Sequence, residues 1–258
     1  MRFRPCIDIH NGKVKQIVGG SLRDQGDKAR ENFVSGKNAD YYAKLYQTDG
    51  LRGGHVILLN PVSSPYYEAT REQALRALAA YPGGLQLGGG VTPENAALFL
   101  DAGASHVIVT SYVFREGRIY FENLERLVQE IGKERLVLDL SCRKKDGEYY
   151  IVTDRWQKFT EVLLNQQTLD ELSEFCDEFL VHAADVEGKS AGIEVPVAKL
   201  LGSWGKLPVT YAGGVGSYED LHLLCETGED RVDVTVGSAL DLFGGSLSYR
   251  KILELCAL

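Results

Sequence analysis

Short apolar runs recur along the chain near residues 3–9, 54–59, 84–88, 105–110, 135–140, 178–183, 207–212 and 231–236. Each is brief and rich in Val, Ile and Leu, which predicts eight buried strands. Between them, apolar positions return at helical spacing, as in Pro93-Glu94-Asn95-Ala96-Ala97-Leu98-Phe99-Leu100 and Tyr218-Glu219-Asp220-Leu221-His222-Leu223-Leu224. Thr92 and Ser217 stand where helix N-caps belong, and Asp101-Ala102-Gly103 and Glu226-Thr227-Gly228 read as stops. No linker rich in Pro, Gly or Ser separates the units. Eight uninterrupted strand–helix repeats in 258 residues predict an α/β protein, a single-domain (β/α)8 TIM barrel, with an open doubly wound sheet as the alternative. Residues 10–18 and 142–154 read as hairpins inserted after strands 1 and 5.

The two halves of the chain echo each other. Cys6-Ile7-Asp8-Ile9 closes one apolar run and Val137-Leu138-Asp139-Leu140 closes another, with the aspartates 131 residues apart. Gly88-Gly89-Gly90-Val91 and Ala212-Gly213-Gly214-Val215 form a second pair, 124 residues apart. One unit further on come Val109-Thr110-Ser111 and Val236-Gly237-Ser238. The chain therefore divides into similar half-barrels, approximately 1–132 and 133–258. Active sites in such barrels form at the C-terminal ends of the strands. Strands 1 and 5 face each other around a ring of eight, so Asp8 and Asp139 flank the mouth. Gly89, Gly90, Thr110 and Ser111 gather on one side of it; Gly213, Gly214, Gly237 and Ser238 gather across from them.

Each feature has a bland reading as well. A strand-ending Gly-Gly alone is more often a tight turn than an anion cradle. Two clusters in matching places, each followed by a hydroxyl-bearing step, favour phosphate held by backbone N–H and Ser/Thr donors. An Asp at a strand end is often a cap or a loop anchor. A facing pair suits general acid and general base work. The ligand that uses every piece is elongated, with an anion at each end and two carboxylates at its middle: a long bis-phosphate. His55 opens strand 2 and His182 lies near the end of strand 6, and core packing weighs as heavily as substrate contact for both. His10, His106 and His222 read as surface or loop residues. Trp156, on the loop after strand 5, stacks on a heterocycle or plugs the core; spacing alone does not choose. Residues 23–30, Arg23 to Arg30, are a solvated loop placed where a lid would be.

Composition narrows the class. A net charge of -8 argues against nonspecific nucleic-acid binding but not against a locally held phosphate. Five cysteines without CxxC spacing suit a reducing cytoplasm better than a disulfide framework. No apolar run approaches a membrane span, the N-terminus reads as entering structure without a signal peptide, and no His/Asp/Glu spacing suggests a metal. The expected partner is one small molecule, with no nucleic acid, no membrane, no metal and no cofactor, and the chain acting as a monomer.

Pro5-Cys6-Ile7-Asp8-Ile9-His10-Asn11-Gly12-Lys13-Val14, the glycines at 88–90, Leu138-Asp139-Leu140, Arg155-Trp156-Gln157 and Ala212-Gly213-Gly214-Val215 resemble the histidine-biosynthesis barrel family. Within it the chain is most similar to the isomerases of ProFAR, phosphoribosylformimino-aminoimidazole carboxamide ribotide. The resemblance spans essentially the whole chain. It implies an Amadori rearrangement that opens an aminoribose ring to an aminoketose, without metal or cofactor, on a substrate with two phosphates. By position, Asp8 matches the base that takes the proton from sugar carbon 2, and Asp139 the acid that protonates the ring oxygen. Thr92, Gln16 and Leu58-Leu59-Asn60 depart from the commoner bacterial pattern. The strand-6 segment His182-Ala183-Ala184-Asp185-Val186-Glu187-Gly188 lacks the usual assisting threonine, leaving His182 and Asp185 as candidates. These departures resemble the eukaryotic branch. The rivals are the cyclase subunit of imidazole glycerol phosphate synthase, whose strand-6 signature is absent, and a non-catalytic phosphosugar-binding barrel.

Overall fold

Each of the eight apolar runs forms a strand: β1 Cys6–His10, β2 Gly54–Leu58, β3 Leu85–Gly88, β4 Val107–Val109, β5 Leu136–Asp139, β6 Glu178–His182, β7 Val209–Ala212 and β8 Val232–Thr235. The structure, a computed structural model, describes residues 1–18, 21–22, 26 and 28–256. Every strand pairs in parallel with its successor. Just ahead of β1, Phe3 bridges Val234 of β8. There Arg4 N–H donates to Val234 O at 2.8 Å and Val234 N–H to Arg2 O at 2.9 Å, which closes the ring. Among the described residues the α-helices are α1 Ala39–Thr48, α2 Tyr67–Ala80, α3 Pro93–Asp101, α4 Phe121–Ile131, α5 Gln166–Ser173, α6 Val195–Trp204, α7 Tyr218–Thr227 and α8 Tyr249–Cys256.

Strand alternation decides which side chains face the helices and which fill the ring. Val56, Leu58, Leu85, Leu87, Phe179 and Val181 belong to the main core under the helices, all buried. The intervening positions Ile57, Ile108, Val137 and Leu180 form a separate apolar layer inside the barrel. At the N-terminal ends of the strands, buried Arg4 spans Glu178 and Asp233, at 3.3 and 2.9 Å. At the C-terminal ends the inward positions are Asp8, Asp139 and His182. The barrel interior thus runs from a charged plug, through an apolar layer, to a polar mouth.

Both anticipated helix starts are capped. Asn95 Oδ1 accepts the Thr92 N–H at 2.9 Å ahead of α3. Ser217 Oγ accepts the Asp220 N–H at 3.1 Å while Asp220 Oδ2 accepts the Ser217 N–H at 2.9 Å, a reciprocal box at α7.

The insertions are larger than the hairpins expected of them. Lys13–Ile17 folds back antiparallel on β1 and pairs with a further strand, Glu31–Val34. After β5, Cys142–Lys145, Glu148–Thr153 and Lys158–Leu163 make a three-stranded antiparallel sheet. The outer strand in each case is largely exposed and lacks the apolar alternation that reveals a strand. The reading of His10 as a surface or loop residue is corrected: it ends β1 opposite Lys13, under the returning strand, and is buried. His222 is exposed on α7, and half-buried His106 lies 3.2 Å from Asp177. Of the proposed lid, Arg23, Asp24, Gln25 and Asp27 lie outside the described residues.

Candidate active site

Two clefts open at the mouth and meet at its centre. One is lined by Gly89, Gly90, Thr110, Ser111, Asp139, Ser141 and Trp156. The other, the smaller, is lined by Cys6, His55, Gly213, Gly214, Gly237 and Ser238. Asp8, His182 and Glu187 line both. Each cleft therefore holds one glycine cluster and its following polar step, and the shared wall between them carries two carboxyls and an imidazole.

The glycine clusters match in conformation as well as in sequence. Gly89 and Gly213 have φ +102° and +113°, and Gly90 and Gly214 have +73° and +81°. A Cβ at Gly89 would lie 2.2 Å from Leu58 O, and one at Gly213 would lie 2.7 Å from Ala183 O. Only glycine lets the backbone turn this tightly beside the neighbouring strand end. At Gly237 a Cβ would strike Gln16 Oε1 at 2.4 Å, so this glycine makes room for a site side chain.

Asp8 is held from the first insertion. Gln16, buried, donates Nε2–H to Asp8 Oδ2 at 3.3 Å and lies 3.6 Å from Cys6 Sγ. Burial, and then the nearby Glu187, push the Asp8 carboxyl up to about 7, against the pull of His182 and Gln16. Glu187 is itself raised, by burial first.

Asp139 has the opposite surroundings. Ser141 donates both its hydroxyl, at 2.6 Å, and its N–H, at 2.8 Å, to Oδ1, while Thr110 Oγ1 donates to Oδ2 at 3.2 Å. His182 Nδ1 stands 3.9 Å from Oδ1, an ion-pair distance beyond hydrogen bonding. Burial works to raise this carboxyl, but His182 and the Ser141 donors outweigh it and hold it below the usual value. Burial likewise works to lower His182, and Asp139, with Glu187 and Asp8, overcomes it and raises the imidazole. His55, 5.6 Å from the His182 ring between centroids, is pushed down to about 3 by burial and by that neighbour, so it is neutral.

Trp156 belongs to the site. Its ring lies 5.5 Å from that of His182, and its Nε1–H donates to Ser141 Oγ at 2.9 Å. The turn that carries it is strained: Asp154, Arg155 and Trp156 all have left-handed φ, at +50°, +56° and +66°. Ser111 Oγ accepts the Asp154 N–H at 3.2 Å, tying the turn to β4. Of the two strand-6 candidates, the structure brings only His182 to the centre. Asp185 pairs with Arg143 Nε at 2.7 Å and accepts the Lys144 N–H at 2.8 Å, pinning the β6 loop to the insertion after β5.

Ser141 and Glu187 were not anticipated. Ser141 carried a signal, since a residue two beyond an Asp donates back to it in Asx-type turns. Glu187 carried only its position in a loop at the catalytic face.

The comparisons agree with this architecture. The family described as Histidine biosynthesis protein matches residues 2–247. A relative from Medicago truncatula is 55% identical over 257 residues, covering 98% of this chain and 81% of its own length. Its name is 1-(5-phosphoribosyl)-5-((5-phosphoribosylamino)methylideneamino) imidazole-4-carboxamide isomerase, chloroplastic. Relatives with the same isomerase name from Neurospora crassa and Saccharomyces cerevisiae are 44% and 46% identical. Each covers 95% of this chain, and 93% and 94% of its own length respectively. A match that runs through both cradles, both aspartates and all eight strands makes this chain a member of the histidine biosynthesis protein family.

Proposed function

We propose that the chain is the isomerase of ProFAR, converting this aminoaldose to its ribulosyl aminoketose by an Amadori rearrangement. One observation carries the reading: two clefts, each with a positive-φ glycine pair, share a wall made of Asp8, His182 and Glu187. A substrate with a phosphate at each end lies across both, with its reacting sugar over that wall. The relatives' isomerase name contains two phosphoribosyl groups, which agrees with a two-ended ligand. In this reading Gly89, Gly90 and Ser111 hold one phosphate, and Gly213, Gly214, Gly237 and Ser238 the other.

The chemistry divides by side. Asp8, poised at about 7, is suited to take a proton near neutral pH, as the base at sugar carbon 2 requires. The Asp139 side supplies the proton that lets the ring oxygen leave. Trp156 covers the heterocycle. The reaction is internal, so atoms balance with nothing added. We read the chain as one barrel of two similar halves, about 1–132 and 133–258, acting as a monomer on a small molecule. Among the described residues no helix is long and apolar enough to cross a membrane. The five free thiols suit a reducing compartment, and we assign the cytoplasm.

The test is chemical. Purified chain given ProFAR should form the ribulosyl isomer, and added ammonia should release no imidazole glycerol phosphate. Ammonia-dependent imidazole formation would make it a cyclase, and tight binding without conversion would make it a binder.

A further inference from the structure

We propose that Gln16 is a positioning residue for the base: its side-chain amide fixes the plane of the Asp8 carboxyl, and the missing side chain of Gly237 is what lets it reach there. The proposal rests on the isomerase reading above, in which Asp8 takes the proton from sugar carbon 2, and adds a residue to it.

Three contacts hold the amide, which is buried. Nε2 lies 3.3 Å from Asp8 Oδ2 and 3.6 Å from Cys6 Sγ. Oε1 lies over Gly237, where a Cβ would come within 2.4 Å of it. The working form of the base is the carboxylate, whose oxygens only accept, so the NH2 end faces Asp8 and the carbonyl end faces the glycine. Asp139 accepts three hydrogen bonds, from Ser141 and Thr110, whereas among the described residues Gln16 is the one side chain that donates to Asp8. The orientation of the Asp8 carboxyl therefore hangs on that donor.

The backbone aims it. Gln16 stands on the strand Lys13–Ile17, which returns across β1, and pairs with Phe33. Between Gln16 and Ile17 the register slips, leaving Asn32 of the outer strand unopposed. A bulge of this kind re-aims the side chains beside it. Asn32 Nδ2–H donates to Gly188 O at 3.0 Å, so the same bulge ties the insertion to the loop that carries Glu187.

An amide suits the task because it brings direction without charge. The titratable groups facing Asp8 are Glu187 from the β6 loop, His182 from β6, the Cys6 thiol from β1 and Tyr46 from α1. Gln16 orients the carboxyl while burial and Glu187 keep it at about 7, poised to take a proton. A cation in its place would pull the carboxyl down and weaken it as a base. Gly237 serves the same arrangement. Its φ is not positive, so the turn alone does not demand glycine. The side chain that a Cβ would strike is Gln16, and the next, Cys6, is 3.8 Å away.

Gln16→Met keeps the length of the side chain and removes the donor. Losing a donor to an anion raises its pKa, so the acid limb of kcat/KM, which reports the base in the free enzyme, should move up by ~1 pH unit. Above that limb, where Asp8 is ionised, kcat should remain ~10-fold or more below wild type because the carboxylate is no longer aimed, with KM changed less. Gln16→Glu sets another carboxyl against Asp8 and should move the limb further. Gly237→Ala pushes the amide aside with Gln16 still present, and should move the limb in the same direction. In a Gln16→Ala background, adding Gly237→Ala should move it no further, since nothing is left to displace. An acid limb at the wild-type pH in Gln16→Met, with kcat unchanged, would overturn the proposal. So would a Gly237→Ala shift of equal size with and without the Gln16 side chain. Should the Gln16 variants fail to fold, Gly237→Ala in the otherwise unmutated chain decides, an unmoved limb counting against the proposal. Asp8→Asn separates the two levels of the argument. Near-native turnover in that variant would sink the base reading itself, whereas an inactive Asp8→Asn beside an unaffected Gln16→Met sinks only this assignment.

Discussion

Trp156 donates its indole N–H to Ser141 Oγ at 2.9 Å, and the same hydroxyl donates to Asp139 Oδ1 at 2.6 Å. A serine hydroxyl has a single proton, so giving it to Asp139 leaves the oxygen to accept from Trp156, and the direction of the relay is fixed. The sheet inserted after β5 is thereby wired to the carboxylate at the end of β5. The left-handed run at residues 154–156 is the conformational cost of placing the indole there.

Two substitutions dissect that relay. Trp156→Phe keeps an aromatic face against His182 and removes only the donor. A neutral hydrogen bond contributes ~0.5–1.5 kcal/mol, so kcat/KM should fall by roughly 2- to 10-fold. Trp156→Ala also removes the aromatic contact, for a further ~0.5–1.5 kcal/mol. Fluorescence reports the same loop, because the second of the two tryptophans, Trp204, is buried and donates to Asp170 at 2.7 Å, away from the clefts. Substrate should therefore change the emission of Trp156. Equal kinetics in the wild type and Trp156→Phe would show that the relay contributes nothing.

Asp8 should cost the fold stability that the reaction requires. Its carboxyl is raised from 3.8 to about 7, so ionising it in the folded state is unfavourable. The penalty is absent below 3.8, grows as pH rises, and is complete above about 7. At ~1.4 kcal/mol per pKa unit its ceiling is about 4 kcal/mol, less whatever solvent reaches the half-buried side chain. Asp8→Asn should match the wild type in denaturant stability near pH 4 and exceed it at pH 8, while turnover drops by ~10²–10⁴-fold. A variant that is no more stable at pH 8 would mean that the carboxylate is well solvated.

The barrel was legible because its strands are buried on both faces and stand out as apolar runs at regular intervals. Matching sequences ending β1 and β5, and β3 and β7, mark the aspartates and glycines that line the mouth. The outer strands Glu31–Val34 and Lys158–Leu163 were not legible, since an exposed edge needs no apolar alternation. Nor could the sequence rank His182 against Asp185. Both sit in one short segment, and only the fold turns one into the mouth and the other onto Arg143. Gln16 reaches Asp8 through a strand that returns across β1, a contact that local pattern does not contain.

At the other end of the barrel, Arg4 should be worth far more than a surface charge. It pairs with Asp233 at 2.9 Å and Glu178 at 3.3 Å, and all three are buried. Arg4→Met leaves buried Glu178 without its cation, while Asp233 keeps Arg2 at 2.8 Å, and should cost ~3–5 kcal/mol in urea denaturation. The plug lies at the strand ends remote from the mouth, so kcat per folded molecule should hold. A loss under about 1 kcal/mol would show that water or protonation compensates the pair.

The two cradles give the sharpest test of a two-ended ligand. Crystals soaked in sulfate or phosphate should hold one anion beside Gly89, Gly90 and Ser111, and a second beside Gly213, Gly214, Gly237 and Ser238. Backbone N–H groups should make most of the contacts. Ser111 Oγ accepts from Asp154 N–H, which leaves its own proton for an anion, whereas Thr110 is already engaged with Asp139. Alanine at either first glycine forces a Cβ into a carbonyl and a positive φ onto a residue that resists it, at a cost of ~1–3 kcal/mol of stability. The clash is closer at Gly89, 2.2 Å against 2.7 Å, so Gly89→Ala should be the less stable of the two. More tellingly, Gly89→Ala should lose the first anion and keep the second, and Gly213→Ala the reverse, with KM for ProFAR raised in both. Sulfate bound at one cradle only in the unmutated protein, or held by surface lysines, would refute the two-ended ligand and with it the main argument for a bis-phosphate.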